Sequence, residues 1–324
     1  MQHHVHTVGT PMFYAVFFAV ILVMIAIDML ALKKEGVHKV STKEALIWSV
    51  TWVTVSMAFA LWLYFRFADN PAIGSESARD HVLLFITAYV LEKSLAVDNI
   101  FVFVMIFSYF KIPAAYQHRV LLYGVFGAII LRTILVGFGA VLVGEFKWIL
   151  YFFGAFLIYS GLKMMVPSKE EDPDFEHNRL IQWLTRHMRI SKNLDREKFF
   201  TIENGKRLAT PLLLVLIMVE LSDVIFAVDS IPAVFAVTTD PFIALTSNLF
   251  AVLGLRAMYF LLANVVERFA YLQYGLAFVL TFIGVKMLIS HWFHIPVTIS
   301  LAVIFTALIL SVAASWVFHK PDEA

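Results

Sequence analysis

Residues 209–236 read Ala209-Thr-Pro-Leu-Leu-Leu-Val-Leu-Ile-Met-Val-Glu220-Leu-Ser-Asp223-Val-Ile-Phe-Ala-Val-Asp229-Ser230-Ile-Pro232-Ala-Val-Phe-Ala236. About 20 mostly apolar residues suffice to cross the hydrocarbon of a bilayer as a helix, so the run is long enough to span. It nevertheless carries Glu220, Asp223 and Asp229. An Asp at the centre of such a helix costs approximately 2.5–3.5 kcal/mol on insertion scales. Acids kept there against that penalty imply a compensating partner or a cation pathway.

The rest of the chain repeats the apolar theme. Of its 324 residues, 60% are hydrophobic and 15% charged, with a mean hydropathy of +0.81, outside the range of soluble domains. Comparable stretches near 12–32, 44–66, 82–110, 117–143, 148–166, 242–266, 270–290 and 295–318 bring the expected total to nine transmembrane helices. None alternates with period two, and backbone groups in lipid must be satisfied internally, so an all-α polytopic bundle is predicted over a barrel. A net charge of +1 gives no broad basic face for nucleic acid, and the lack of cysteine removes disulfides, thiolate metal sites and thiol catalysis.

Orientation follows from the basic residues, which short cytoplasmic loops retain. Lys33, Lys34, Lys39 and Lys43 follow the first span, Lys111 and Arg119 flank the third-to-fourth turn, and Arg179, Arg186, Arg189, Lys192, Arg196, Lys198, Lys206 and Arg207 precede the sixth. The intervening connections lack that excess. This places the N-terminus outside and the C-terminus in the cytoplasm, with the first span uncleaved because no small-residue processing site follows it.

Self-comparison reveals an internal repeat. Ala96-Val97-Asp98-Asn99 recurs as Ala227-Val228-Asp229-Ser230, and Glu92 falls opposite Asp223 in the same register. Leu131-Arg132 matches Leu255-Arg256, and Gly161-Leu162-Lys163-Met164 matches Gly284-Val285-Lys286-Met287. Each unit holds three expected spans, so the second copy enters from the opposite side, an arrangement common in transporters with midplane sites. The chain therefore divides into two N-terminal helices (1–81), a first repeat (82–166), a cytoplasmic loop (167–208), a second repeat (209–290) and a last span with its tail (291–324). Within the loop, Leu180, Ile181, Trp183, Leu184 and Met188 fall at helix-like spacing among Arg179, Arg186 and Arg189, which fits a surface-lying amphipathic helix.

Glu92, Asp98, Asn99, Glu220, Asp223, Asp229 and Ser230 form the candidate ligand set, with Lys93, Arg132 and Arg256 as charge-compensating groups. On a regular helix Glu92 shares a face with Asn99 and Asp223 with Ser230, while a six-residue step turns Asp98 and Asp229 about 120° away. A break at Pro232, which cannot donate to the carbonyl of Val228, would realign them and free an additional oxygen. Carboxylate, amide, hydroxyl and carbonyl oxygens suit Mg²⁺, Ca²⁺ and Mn²⁺. Simple acid–base pairing between helices is the competing account. Asp28, Lys163 and Lys286, near helix ends, receive little functional weight, as do His3, His4, His6, His291 and His294, which lack evident partner ligands.

The stretches Glu92-Lys-Ser-Leu-Ala-Val-Asp98-Asn99-Ile-Phe-Val and Glu220-Leu-Ser-Asp223-Val-Ile-Phe-Ala-Val-Asp229-Ser230-Ile-Pro-Ala resemble the TerC family of integral membrane proteins, closest to its Alx branch. Thr238-Thr-Asp-Pro-Phe, Thr246-Ser-Asn-Leu-Phe-Ala and Leu255-Arg-Ala-Met-Tyr-Phe-Leu-Leu extend the likeness over nearly the whole chain. The resemblance implies a bacterial inner-membrane protein associated with manganese export and, in that branch, a response to alkaline conditions. It places the family's metal-handling acids on Glu92, Asp98, Glu220, Asp223 and Asp229. A secondary transporter moving Mn²⁺ outward is the leading expectation, with no enzymatic activity and no prosthetic group, the metal being substrate. Without a glycine-rich phosphate loop, proton exchange or membrane potential would drive it. Transport of Ca²⁺ or Mg²⁺, an accessory protein supplying metal to secretion machinery, and a membrane redox enzyme are the alternatives. The last would need haem or iron–sulfur ligation, for which mid-span His pairs and Cys are missing.

Overall fold

Apolar runs that satisfy their own backbone groups dominate the computed structural model, which describes residues 7–35, 40–70, 74–146, 148–165, 190–191, 194–203, 205–263, 271–290, 292–293 and 295–318. In chain order the helices are α1 (Pro11–Glu35), α2 (Thr42–Ala68), α3 (Gly74–Tyr109), α4 (Ala114–Glu145), α5 (Ile149–Met165), α6 (Pro211–Val237), α7 (Pro241–Leu253), α8 (Leu255–Leu262), α9 (Leu272–Ile289) and α10 (Val297–Phe318). Polar caps mark two of the starts. Ser41 and Glu44 form a reciprocal capping box on α2. Asp240 accepts from the Phe242 and Ile243 amides at the start of α7. It also accepts from Thr7 Oγ1 at 2.9 Å and the Val8 amide at 2.6 Å, tying the N-terminal segment to that helix.

Among the described residues, six helices are long and apolar enough to cross a membrane, or seven if the bent pair α7–α8 counts as one span. The apolar stretches of the sequence predict nine. The difference lies in α3, whose 36 residues include Glu92, Lys93 and Asp98, and in α5, which has only 17. Large apolar side chains such as Leu22, Ile130, Ile134, Phe138 and Ile309 point outward, the surface a bilayer would cover.

Two local expectations need correction. α6 runs unbroken from Pro211 to Val237 with Pro232 inside it, so the proline does not realign the acids. Packing around a buried ring supports such a position in a membrane helix, and Pro232 is buried. The break falls instead in the next expected span, 242–266, which bends by 42° between α7 and α8 at Gly254. There the Lys93 ammonium occupies the space a Cβ on residue 254 would need.

The core places α3 against α2, α6 and α7, and α4 against α6 and α7, so the two sequence repeats interleave. α5 packs along α9 through matched small residues. A Cβ on Gly284 would lie 2.6 Å from the Gly154 carbonyl oxygen, and one on Gly161 would lie 2.7 Å from that of Ala277, the close approach that small residues permit between membrane helices. Gly284→Val is therefore expected to destabilise the protein by about 1–3 kcal/mol through overpacking. A lowered unfolding midpoint in detergent checks this; an unchanged midpoint would mean the helices are not held at that distance.

In the loop, β1 (Phe200–Glu203) and β2 (Lys206–Ala209) pair antiparallel, a hairpin absent from the sequence-based expectation. Its turn uses Gly205 at φ 73°, where glycine carries no steric penalty. Arg119 at the start of α4 bonds Glu197 at 3.2 Å, anchoring the loop. The expected amphipathic helix around Leu180–Met188 and the histidines His3, His4, His6, His291 and His294 lie outside the described residues.

Candidate functional site

Because α6 is continuous, the six-residue step from Asp223 to Asp229 sends the two carboxylates to different neighbours, about 120° apart. Asp223 meets Arg132 of α4. The guanidinium donates from Nε to Asp223 Oδ2 at 3.1 Å and from Nη2 to Oδ1 at 2.9 Å, the planar bidentate geometry that suits arginine. Its Nη1 pairs with Glu92 Oε1 of α3 and donates to Asn248 Oδ1 of α7 at 3.3 Å. Asn99 donates to Asp223 Oδ1 at 3.5 Å. Arg132, Glu92 and Asp223 are each no more than 2% exposed. Glu92 and Asp223, equivalent positions in the repeat, thus converge on a single base.

Asp229 turns instead towards α5, where Ser160 donates to its Oδ1 at 3.0 Å. Asp229, Ser230, Asp98 and Asn99 line a cavity of about 380 Å³, together with Glu92 and Arg132 at one wall and Ser160, Lys163, Met164 and Gln273 elsewhere. Neither Asp98 nor Asp229 has a basic partner among the described residues. Ser230 Oγ and Glu92 Oε2 are buried polar atoms without a hydrogen-bond partner there, which calls for water or an ion beside them. No group of three or more His, Asp or Glu side chains gathers as a metal cage among the described residues. Two carboxylates with neutral oxygens therefore suit a hard cation that keeps part of its water shell.

The seven residues expected as one ligand set are divided. Glu92, Asp223 and Asn99 belong to the Arg132 clamp, although Glu92 and Asn99 also reach the cavity wall. Glu220 stands apart, pressed on Gly127 of α4 where any Cβ would collide with its carboxyl group, and its Oε2 has no partner among the described residues. It shares a void of about 10 Å³ with Asp223 and Arg256.

The expected counter-charges divide as well. Among the described residues, Arg132 is the base that pairs with the motif acids. Arg256 bonds Asp28 Oδ1 at 2.6 Å and His118 Nε2 at 3.1 Å, so Asp28 is a buried ion-pair partner. Lys93 makes no ion pair with Glu92 among the described residues; its ammonium lies beside Gly254 and 5.9 Å from the Tyr89 ring centroid. The expected ligand and counter-charge sets leave out three residues found here: Asn248 and Ser160, and Lys163, which its place near a helix end had given little weight. Asn248 had a signal, being an amide in the middle of an apolar span; Ser160 and Lys163 had little, since their roles arise from α5 lying against α6.

The profile of the integral membrane protein TerC family matches residues 77–323. Proteins of Shigella flexneri and Escherichia coli strain K12, which carry the provisional name membrane-bound redox modulator Alx, are each 53% identical over 321 residues. Those alignments cover 98% of this chain and 99% and 98% of the respective relatives. The membrane protein STKORF319 of Myxococcus xanthus is 46% identical over 319 residues, covering 98% of this chain and 96% of its own. No solved structure matches the chain.

Proposed function

Because this chain belongs to the TerC family of integral membrane proteins, we propose that it is a secondary transporter exporting Mn²⁺ from the cytoplasm, with Asp98 and Asp229 as the central ligands. One observation carries this reading. The matched acids of the two repeats, Asp98 and Asp229, face a common cavity with no basic partner among the described residues, while the other matched pair is held by Arg132. Uncompensated ionisable groups at membrane depth mark ion pathways, and dication binding would neutralise both carboxylates at once. Nine crossings, with helices α3–α5 and α6–α9 as inverted repeats, complete the proposed architecture. The convergence of Glu92 with Asp223, and of Asp98 with Asp229, supports that symmetry.

The distribution of basic residues argues for a bacterial inner-membrane orientation with the N-terminus periplasmic. On that topology Lys163, Met164 and Gln273 lie at the cytoplasmic ends of α5 and α9, so the part of the cavity wall they form is on the side from which cargo would load. Manganese over other cations rests on the family resemblance, since Mg²⁺ and Ca²⁺ share the preference for oxygen.

Liposomes containing the purified chain alone provide the test. Mn²⁺ is expected to cross them well above the rate of protein-free vesicles, with Mg²⁺ and Ca²⁺ competing only at higher concentration. Folded protein with no flux would favour an accessory role, and equal competition would broaden the substrate. The relatives' name favours a redox function as a second reading; a visible absorbance band from a bound cofactor, with no metal flux, would support it.

A further inference from the structure

Among the described residues, Lys163 carries the one basic group on the cavity wall that is not already committed. The charged groups there are Glu92 and Asp98 from α3, Arg132 from α4, Lys163 from α5 and Asp229 from α6. Arg132 is engaged by Glu92 and Asp223. Lys163 is exposed and makes no ion pair among the described residues. It lies three residues from Ser160, whose hydroxyl bonds Asp229, and side chains at that spacing are neighbours on a helix, with about 5–6 Å between Cβ atoms. A flexible four-carbon stem carrying a compact ammonium can cover such a distance.

We infer that the Lys163 ammonium is a tethered substitute for the cargo: it docks between Asp98 and Asp229 when the cavity holds no dication, and an arriving dication displaces it. This inference rests on the transport reading. A carrier must also return without cargo, and two bare carboxylates would then face the low-dielectric interior unpaired, an arrangement that is strongly disfavoured. An ammonium on the cavity wall halves that charge without leaving the protein. It also competes with the metal, so loading and release become an exchange of cations over the same two acids. Ser160 keeps Asp229 oriented while the partners exchange.

Two measurements on Lys163→Met test this. In proteoliposomes, Mn²⁺/Mn²⁺ exchange, which needs only the loaded carrier, is expected to persist. Net Mn²⁺ movement, which needs the empty carrier to return, is expected to fall at least tenfold and to recover in Lys163→Arg. In detergent, Mn²⁺ is expected to bind Lys163→Met roughly tenfold more tightly, because an occluding conformer reduces apparent affinity by the fraction of time it is populated. Wild-type net flux in the variant would overturn the inference, as would loss of exchange together with net flux, or an affinity equal to or weaker than wild type. If wild-type protein itself moves no Mn²⁺, the transport reading fails, and the affinity comparison still decides whether Lys163 competes for the acids.

Discussion

Replacing Arg132 by methionine is expected to destabilise the protein by about 3–5 kcal/mol, the range found when one member of a buried ion pair is removed and its partner stays charged. Here two partners stay. Glu92 and Asp223 are both buried, and Asp223 would keep only the 3.5 Å bond from Asn99 among the contacts described above. The check is thermal or denaturant unfolding of purified protein in detergent, together with the amount recovered from membranes. Arg132→Met combined with Glu92→Gln and Asp223→Asn should recover most of the loss, because amides of the same shape remove the stranded charges. Glu92→Gln alone should be far milder, since it leaves Arg132 and Asp223 as a one-to-one bidentate pair. Added Mn²⁺ should not rescue Arg132→Met. Rescue by metal, or a variant as stable as wild type, would mean that Glu92 and Asp223 serve the cargo rather than the fold.

The sequence made the helical membrane character legible because composition and span length depend on no tertiary detail. It also singled out Glu92, Asp98, Asp223 and Asp229 as candidates, since they recur in matched register. Which acids share a partner was less accessible. The six-residue spacing did predict that Asp223 and Asp229 would diverge on a regular helix. The kink expected at Pro232 does not form, because the buried ring is supported by packing that offsets the backbone hydrogen bond it removes. Gly254, where the chain does bend, resembles any other small residue in an apolar run until Lys93 is seen against it. Arg132 and Arg256 occupy equivalent repeat positions, yet one holds Glu92 and Asp223 while the other holds Asp28. That asymmetry comes from α1, which lies outside the repeat and supplies the second arginine with its own acid.

Asp98→Asn and Asp229→Asn are expected to produce the opposite pattern to Arg132→Met, with stability kept or raised and cation handling lost. Each substitution preserves side-chain shape while removing a charge that has no basic partner among the described residues. An acid at the centre of a membrane helix costs approximately 2.5–3.5 kcal/mol on insertion scales, so part of that penalty should return as stability. For binding, a unit-charge pair at about 4 Å contributes approximately 4 kcal/mol at an effective dielectric constant near 20. A dication facing one carboxylate instead of two should therefore bind at least about a hundredfold more weakly, after allowing for relieved desolvation. Calorimetric titration of Mn²⁺ reads the affinity directly. Thermal unfolding supplies an independent readout, because metal at a hundred times its Kd should stabilise wild type by about 2.7 kcal/mol and leave both variants nearly unmoved. Metal-free variants that unfold well below wild type would assign these acids to the scaffold. Binding that survives in both, but disappears in Glu92→Gln or Asp223→Asn, would move the cargo site into the Arg132 clamp. The fold and the cavity acids are separable on this reading because one matched pair of carboxylates is neutralised within the protein and the other leaves its countercharge to be brought in.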